Sequence, residues 1–452
     1  MTIPVLGPRL VVAGTHSGVG KTTVATGLVA ALRRAGHHPC AAKVGPDFID
    51  PGYHALAAGR PPRNLDAWLC GPAAILPLAA RAATGAEVLI VEGVMGLFDG
   101  ASDGTTSSTA DIARLLDAPV LLVVDASAMS DSVAALVHGY TTYRPDIQVA
   151  GVILNQVGSP GHETLLREAL ADTGPPVLGA LPRNDALKWR DRHLGLIPVA
   201  EHPAEVDVAL DRLAHTVAAH VDLGALLHVA HRAPPVSTTP VPLPGPGPSI
   251  RVAVAAGPAF TFTYTDTLDA LEAAGAEIVP FDPLSIETLP TGIDGLIIGG
   301  GFPEVYGAEL AANVRLLDDL RHHLEAGLPT WAECGGLLLL ARRLDGRRLA
   351  GVVPAEGAMT DRLTLGYREA VTTVTSPLGP AGTALRGHEF HYSTLDPPGA
   401  ALRLRSRWGT RTEGWATTTL LATYLHHHPG GDPGLVAEFA HRCALRHTLR
   451  GA

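Results

Sequence analysis

The sequence predicts two α/β domains, one in each half of the chain, joined by a proline-rich linker. In both halves, short runs of apolar and β-branched residues alternate with longer segments of helical character. This alternation favours a buried parallel sheet with helices on both faces. The linker is 233–248, where seven prolines in sixteen residues exclude a helix or a central strand. We therefore assign a first domain to 1–232 and a second domain to 249–452.

The predicted strands of each domain end in glycines or polar residues. In parallel sheets, ligands bind beyond the carboxyl ends of the strands, so functional residues are expected there. In the first half the strands are RLVVAG (9–14), EVLIVEG (87–93), PVLLVVD (119–125) and VAGVILNQV (149–157), with helices near 21–35 and 128–143. In the second half they are IRVAVAA (250–256), DGLIIGGG (294–301) and PTWAECGG (329–336), with helices near 265–275 and 308–326 and a more β-rich stretch afterwards.

The composition limits the classes of protein to consider. The chain has 452 residues, of which 46% are hydrophobic and 17% charged, and its net charge is −10. That acidic balance argues against nucleic-acid binding as the main function. No apolar run approaches the roughly 18 residues of a membrane span, and the N-terminus lacks a signal-peptide pattern. Four widely spaced cysteines suit a reducing cytosol, so we expect a cytoplasmic protein without membrane partners; a homodimer is compatible with the sequence.

A phosphate-binding loop is predicted at GTHSGVGKTT (14–23), between the first strand and the first helix. Glycines let the backbone wrap phosphate oxygens, Lys21 neutralises their charge, and the Thr22 hydroxyl can ligate Mg²⁺. The usual spacing places the first glycine at position 15, where this chain has Thr15; its first glycine is Gly14. The strand–loop–helix context favours this interpretation over a glycine-rich turn without a ligand. The residues expected to bind ATP are Gly18, Gly20, Lys21, Thr22, Thr23, Lys43 and Asn155.

Two acidic segments, KVGPDFIDP and VEGVMGLFDG, are candidates to complete a magnesium site. Mg²⁺ prefers hard oxygen ligands and takes one or two carboxylates beside the phosphates. We predict Thr22, Asp47 and Glu92 as ligands, with Lys43 clamping the transferred phosphoryl group. Either carboxylate could instead cap a helix or face solvent, and Asp50 is a weaker candidate.

Asn155, at the end of the strand in LNQV, is a candidate to contact the adenine edge of ATP. An ordinary turn asparagine is an equally good interpretation of that position.

WAECGGLLLL places Cys334 between an apolar strand and an apolar helix. Such a tight turn presents the sulfur to backbone N–H groups and to a helix N-terminus, which lower a thiol pKa and stabilise an oxyanion. A buried inert thiol is the alternative for an isolated cysteine. Glycines on both sides favour a nucleophile, and we predict an oxyanion hole from Gly300, Gly301 and Gly335.

The nucleophile requires a base, and two histidine clusters are candidates: RGHEFHYS, with His388 and His391, and ATYLHHHP. The second follows an apolar run at a predicted strand end. We predict His426 as the base and His428 as the group that orients it, while the triple histidine leaves open which ring is the base. A three-histidine metal site is the rival interpretation; adjacent strand residues point to opposite faces, which argues against it.

Together these motifs resemble the family of cobyrinic and hydrogenobyrinic acid a,c-diamide synthases of cobalamin biosynthesis. The first half is similar to P-loop enzymes of the dethiobiotin synthetase type, which share the displaced first glycine. The second half looks like a class I glutamine amidotransferase. The motifs occur in order across nearly the whole chain: GTHSGVGKT, KVGPDFIDP, RNLD, EGVMGLFDG, LPR…RHLGLIP, GGGFPE, ECGG, LGYREA, RGHEFHY and YLHHH.

The resemblance implies a two-stage amide synthesis. The family forms an acyl phosphate from a corrinoid acetate side chain and MgATP, then aminates it at the a and c positions with ammonia from glutamine. Its partners would therefore be a corrinoid polycarboxylate, glutamine and ATP. Motif by motif, the resemblance assigns Lys21, Thr22, Asp47 and Glu92 to the ATP–Mg²⁺ site, Cys334 to the nucleophile and His426 to its activating histidine.

Three other interpretations stay open at this point. The substrate could be a nickel tetrapyrrole, because the ATP and glutamine motifs do not contact the ring. A ParA/MinD-like regulatory ATPase fused to a glutaminase-like domain would carry a signature lysine where this chain has His16, and an inactive glutaminase would not need Cys334.

The residues proposed to bind substrate carboxylates are Arg63, Lys188, Arg190 and Arg192.

Overall fold

A computed structural model describes residues 3–100, 107–172, 174–184, 191–192, 195–196, 198–201 and 203–451. The chain forms two compact units, Met1–Val241 and Pro242–Ala452. The boundary between them falls inside the proline-rich segment.

The first unit contains eleven strands, nine α-helices and a 3-10 helix at Val199–Glu201 among the described residues. The strands are β1 (Val5–Leu6), β2 (Arg9–Gly14), β3 (Pro39–Val44), β4 (Arg63–Leu65), β5 (Val88–Glu92), β6 (Val120–Asp125), β7 (Val149–Val157), β8 (Val177–Pro182), β9 (Asp191–Arg192), β10 (Gly195–Leu196) and β11 (Val236–Ser237). The helices are α1 (Lys21–Arg34), α2 (Asp50–Ala58), α3 (Ala67–Cys70), α4 (Pro72–Ala82), α5 (Thr109–Leu115), α6 (Ser132–Thr142), α7 (Pro160–Leu170), α8 (Pro203–His220) and α9 (Leu223–His231).

Seven of these strands form one parallel sheet in the order β4-β3-β5-β2-β6-β7-β8. The central strands are buried along their length apart from Asp125 at the end of β6, which explains their largely apolar sequences. Helix α1 packs on α8, and both contribute to one apolar core. The predicted parallel sheet is therefore confirmed. Strand β11, in the first part of the proline-rich segment, pairs with β1 and attaches that part to the first unit.

The second unit contains thirteen strands and five helices among the described residues. The strands are β12 (Ile250–Ala255), β13 (Ala276–Phe281), β14 (Gly295–Ile298), β15 (Thr330–Glu333), β16 (Ala341–Leu344), β17 (Arg347–Arg348), β18 (Val353–Thr372), β19 (Ala384–Asp396), β20 (Leu402–Ser406), β21 (Gly409–Glu413), β22 (Trp415–Ala416), β23 (Leu420–Thr423) and β24 (His426–His427). The helices are α10 (Thr265–Ala273), α11 (Gly307–Ala312), α12 (Val314–Glu325), α13 (Gly335–Leu340) and α14 (Pro433–Gly451).

Two sheets organise the second unit. The first has the order β13-β12-β14-β15-β23-β22 and is parallel except for the edge strand β22. The second is a mixed sheet built on the long β18–β19 hairpin, and β24 pairs with β19 at its edge. This arrangement brings the end of β15 and the start of β24 together, because β15 and β23 run side by side. Over the part of the chain that the structure describes, the helices include none long and apolar enough to cross a membrane.

Candidate active sites

The first candidate site lies where β2 turns into α1. Strand β2 ends at Gly14, helix α1 begins at Lys21, and the loop between them turns through left-handed glycines at Gly18 and Gly20. A Cβ atom at Gly14 would lie 2.5 Å from Cγ2 of Val19. A side chain at residue 14 would therefore collide with Val19, which accounts for the glycine at this position.

Two side chains hold this loop from within. The Lys21 Nζ donates a hydrogen bond to the His16 carbonyl at 3.1 Å, and burial together with the charge of Lys43 lowers the pKa of Lys21 to about 8. The amide nitrogen of Asn155 donates to the Val19 carbonyl at 2.8 Å. Asn155 thus supports the loop backbone, and its predicted contact with adenine stays a prediction.

Polar oxygens from α1, α2 and β5 converge beside the loop. The Thr22 Oγ1 lies 2.6 Å from Oε1 of Glu92 and 3.2 Å from Oδ2 of Asp50. The Lys43 Nζ lies 2.8 Å from the same Glu92 oxygen and 2.6 Å from the same Asp50 oxygen. A hydroxyl and two carboxylates are hard oxygen donors, so this group fits Mg²⁺ completed by nucleotide phosphates.

Lys43 and Glu92 stabilise each other's charge in this cluster, whereas burial and the charge of Asp47 raise the pKa of Asp50 to about 8. Burial alone would lower the pKa of Lys43, but the carboxylates of Asp50 and Glu92 outweigh burial and raise it. Burial would raise the pKa of Glu92, and Lys43 with His54 pulls it well below its usual range instead. Glu92 is therefore ionised and Lys43 protonated throughout the physiological pH range.

Asp47 contacts the backbone at the start of α2. Its Oδ1 accepts hydrogen bonds from the backbone N–H groups of Ile49 at 2.8 Å and Asp50 at 3.0 Å. That contact, which resembles helix capping, occupies one carboxylate oxygen, and the role of Asp47 as a Mg²⁺ ligand stays a prediction. The carboxylate beside Thr22 and Glu92 is that of Asp50, which lies at the first position of α2.

Behind Glu92 lies a histidine that the motif analysis missed. The His54 Nε2 lies 2.6 Å from Oε2 of Glu92, and its Nδ1 lies 3.1 Å from Oγ1 of Thr26. Both His54 and Glu92 are buried. Asp50 and His54 are four residues apart on one face of α2, and this spacing was the available sequence signal.

The second candidate site centres on Cys334, between β15 and α13. Cys334 has φ 49° and ψ −99°, a strained conformation for a residue other than glycine, as expected where a strand turns sharply into a helix. Its backbone N–H donates to the Thr423 carbonyl at 2.8 Å. Contrary to the lowering expected from the turn, burial, and secondarily the negative charge of Glu304, raises the pKa of the thiol, so Cys334 needs a base to become a nucleophile.

Two of the three predicted oxyanion donors lie beside one another. A Cβ atom at Gly335 would lie 3.0 Å from the backbone nitrogen of Gly301, so these two backbone segments are in contact. Gly300 differs from the prediction, because its N–H donates to the Phe262 carbonyl at 3.2 Å and its own carbonyl accepts from Phe262 at 3.0 Å. That bridge occupies the N–H of Gly300, which leaves Gly301 and Gly335 as the candidates.

The three consecutive histidines point in different directions. His426 covers the glycine turn, since a Cβ atom at Gly300 would lie 2.4 Å from its Cε1 and 3.2 Å from its Nε2. The ring of His428 lies on Tyr264, with centroids 4.5 Å apart, and its Nε2 is 3.7 Å from Oδ2 of Asp266. The predicted role of His428 behind His426 is therefore not what the structure shows. Strand β24 ends at His427, so strand alternation does not carry His428 to the face of His426.

The carboxylate beside His426 belongs to Glu333, the residue before the nucleophile. Its Oε2 lies 3.4 Å from Nδ1 of His426, and its Oε1 lies 2.8 Å from Nδ1 of His427. Among the described residues, no group of three or more His, Cys, Asp or Glu side chains could hold a metal ion. That finding removes the three-histidine metal site from consideration.

The second histidine cluster belongs to the same neighbourhood. Buried Glu389 pairs with Arg368 at 2.6 Å and with Arg411. The ring of His391 stacks on Tyr424 with centroids 3.8 Å apart. Burial and His426 lower the pKa of His388 to about 3, so His388 stays neutral. These contacts join the motifs LGYREA and RGHEFHY to each other, and the pairing of β19 with β24 makes His388 the register partner of His426.

The residues predicted to bind substrate carboxylates are placed only in part. Arg63 is the first residue of β4, an edge strand of the first sheet. Lys188 and Arg190 lie outside the described residues, and so does the side chain of Arg192. Their role stays a prediction.

Comparison with known proteins identifies both units. Residues 10–197 match the CobQ/CobB/MinD/ParA nucleotide binding domain, and residues 251–433 match the CobB/CobQ-like glutamine amidotransferase domain. The predicted two-domain architecture is thereby confirmed.

Relatives align over almost the entire chain. A hydrogenobyrinate a,c-diamide synthase of Streptomyces coelicolor is 48% identical over 96% of this chain and 97% of its own. That of Mycobacterium tuberculosis is 46% identical with the same coverage, and a cobyrinate a,c-diamide synthase of Syntrophotalea carbinolica is 42% identical over 96% and 98%. The chain therefore belongs to the family of hydrogenobyrinate and cobyrinate a,c-diamide synthases, glutamine-dependent, ATP-using ligases of cobalamin biosynthesis.

Proposed function

We propose that this chain amidates the a- and c-acetate carboxylates of hydrogenobyrinic or cobyrinic acid. The observation that carries the proposal is the pairing, in one chain, of a phosphate loop beside Thr22, Asp50 and Glu92 with a nucleophile turn at Cys334. The first suits activation of a carboxylate by ATP, and the second suits release of ammonia from glutamine. Relatives named for these substrates align over 96% of the chain.

In the first unit, a substrate carboxylate oxygen attacks the γ-phosphorus of ATP, ADP leaves, and an acyl phosphate forms. Ammonia then attacks the carbonyl carbon, phosphate departs, and loss of a proton leaves the amide. Lys21 and Lys43 neutralise the phosphate charge that develops, because both ammonium groups lie in the cluster beside the loop. Nucleotide contacts are assigned to Gly18, Gly20, Thr22, Thr23 and Asn155.

Magnesium is part of this proposal. Thr22, Glu92 and Asp50 would hold the ion, and the bound ion would neutralise charge on the phosphates. Lys43 now lies between the two carboxylates, at 2.6 and 2.8 Å. Its ammonium lowers the pKa of Glu92 and keeps that carboxylate ionised. Burial and the charge of Asp47 raise the pKa of Asp50 to about 8, so a bound cation would also draw Asp50 into its ionised form.

In the second unit, the sulfur of Cys334 attacks the glutamine amide carbon and ammonia leaves, which produces a thioester. Water then hydrolyses the thioester to glutamate. His426 serves as the base, and the backbone N–H groups of Gly301 and Gly335 stabilise the oxyanion of each tetrahedral intermediate.

The remaining proposals concern setting and partners. We propose that the protein acts in the cytoplasm on small molecules alone, without nucleic-acid or membrane partners, in line with its net charge of −10. A homodimer is also proposed, and light scattering of the purified protein would test it.

The substrate is tested by product mass. Purified protein is incubated with MgATP and glutamine together with hydrogenobyrinic acid or cobyrinic acid. Two successive amidations of either corrinoid are expected. Absence of any mass change on both corrinoids, despite glutaminase activity and ATP turnover, would contradict the proposal and move the substrate to another tetrapyrrole, such as a nickel tetrapyrrole.

A further inference from the structure

Glu333 is a buried carboxylate whose position sets it apart from the other acidic residues near Cys334. It ends β15 and directly precedes Cys334. Its Oε1 accepts hydrogen bonds from the indole Nε1 of Trp331 at 3.0 Å and from the backbone N–H of His427 at 3.1 Å, and it lies 2.8 Å from Nδ1 of His427. These contacts fix the orientation of the carboxylate plane.

The second oxygen of Glu333 faces His426. Oε2 lies 3.4 Å from Nδ1 of His426, while the opposite edge of the ring lies against the glycine turn at Gly300. An imidazole that directs Nδ1–H at a carboxylate leaves Nε2 unprotonated and able to accept a proton. Burial would raise the pKa of Glu333, but His426 and His427 lower it to about 2, so the carboxylate is ionised.

The sheet register explains why a residue adjacent to the nucleophile can reach the base. Strands β15 and β23 are parallel, and Glu333 is the register partner of Thr423. Both strands end at this point, and the chain after Thr423 reaches His426 within three residues. Glu333 and His426 therefore meet just beyond the ends of neighbouring strands.

We propose that Glu333 is the positioning residue that orients His426 for the glutaminase reaction, an inference that rests on the proposed function of Cys334 and His426. In acylation, Nε2 of His426 takes the proton of the Cys334 thiol as the sulfur–carbon bond forms. The proton passes to the departing nitrogen as the carbon–nitrogen bond breaks. In deacylation, Nε2 takes a proton from water and returns it to the sulfur. Glu333 stays ionised throughout and stabilises the imidazolium that forms twice per turnover.

The test is Glu333→Gln in the full-length protein, assayed with glutamine and with ammonium. Glutamine-driven turnover should fall on the order of 10²–10⁴-fold, because the amide does not stabilise the imidazolium, while KM for glutamine changes little. Ammonium-driven amidation should be unchanged, which also shows that the variant folds. The acidic limb of the pH profile of kcat/KM should move to lower pH, since a neutral amide no longer favours the protonated form of the base.

Three controls separate positioning from a structural role. Glu333→Asp should recover part of the glutamine-driven rate. His427→Gln removes the other imidazole bound to Glu333 and should leave the acidic limb of the pH profile in place. If this variant loses as much glutamine-driven rate as Glu333→Gln and its acidic limb shifts equally, the proposal is overturned. Asp266→Asn alters the carboxylate beside His428 and should have no effect on that limb.

The proposal fails if Glu333→Gln keeps its glutamine-driven rate within about threefold and its pH limb does not move. Glutaminase activity is measured as glutamate release without corrinoid, so this result does not depend on which corrinoid the enzyme amidates. A wild-type protein that releases glutamate but amidates no corrinoid would contradict the proposed substrate alone. If Glu333→Gln does not fold, the acidic limb of the pH profile of kcat/KM for Glu333→Asp decides the question.

Discussion

Glu92 in the first unit and Glu333 in the second are both buried carboxylates at the carboxyl end of a parallel strand. Both contact imidazoles, but only Glu92 also pairs with a lysine. Glu92 lies 2.8 Å from the ammonium of Lys43 and 2.6 Å from the ring of His54, whereas Glu333 contacts the imidazoles of His426 and His427. A lysine cation keeps its charge at every physiological pH, and an imidazole gains and loses a proton near neutrality.

This difference matches the chemistry of each site. Transfer of a phosphoryl group needs constant charges in fixed places, because catalysis there is positioning and electrostatic stabilisation. Release of ammonia needs a group that changes protonation state within each turnover. One topological position, the end of a parallel strand, thus serves a fixed charge in one unit and a proton carrier in the other.

The largest effect is expected when the ammonium group of Lys43 is removed. Lys43→Ala would leave Glu92 and Asp50 buried without their shared cation, and breaking a buried pair costs about 3–5 kcal/mol of unfolding free energy. Thermal unfolding should show a less stable protein. Amidation should fall on the order of 10²-fold or more with either nitrogen source. Undiminished ammonium-driven amidation would show that Lys43 is not part of the phosphate site.

A smaller effect is expected when His54, the histidine that contacts Glu92, is removed. His54→Ala removes the group that contacts Oε2 of Glu92 at 2.6 Å, and loss of such support typically weakens metal affinity about 10–100-fold. The Mg²⁺ dependence of ATP turnover measures this, with glutaminase kinetics as the internal control. Thr26→Val, which removes the hydroxyl on the far side of His54, should shift the Mg²⁺ requirement less. An unchanged requirement in His54→Ala would contradict the positioning of Glu92 by His54.

The smallest effect distinguishes two neighbouring aspartates. Asp47→Asn keeps an oxygen that can accept from Ile49 and Asp50, so we expect a loss of stability below about 1 kcal/mol and no change in Mg²⁺ dependence. Asp50→Asn should raise the Mg²⁺ concentration needed for half-maximal ATP turnover. A raised Mg²⁺ requirement in Asp47→Asn together with an unchanged requirement in Asp50→Asn would identify Asp47 as the ligand instead.

The sequence was sufficient for features fixed by contiguous residues. The strand–turn–helix segments that contain Lys21 and Cys334 are local, and the alternation of apolar runs with helices predicts the two parallel sheets that the structure shows. Short motifs in order across both halves also predicted the family.

Tertiary pairings were beyond the reach of the sequence. Asp47 and Asp50 are both acidic residues of one motif, and only the start of α2 decides which of them caps and which faces Thr22. Glu333 precedes a predicted nucleophile, but its contact with His426 depends on the pairing of β15 with β23, which are far apart in the chain. For the same reason the bridge between Gly300 and Phe262 was not foreseeable.

The most direct test of two chemically distinct sites is the ratio of ammonium-driven to glutamine-driven amidation in Cys334→Ala. We predict that ammonium-driven amidation stays at the wild-type rate while glutamine-driven amidation disappears, because only the second requires the sulfur. Equal loss of both activities would contradict the account, since it would make Cys334 necessary for carboxylate activation as well.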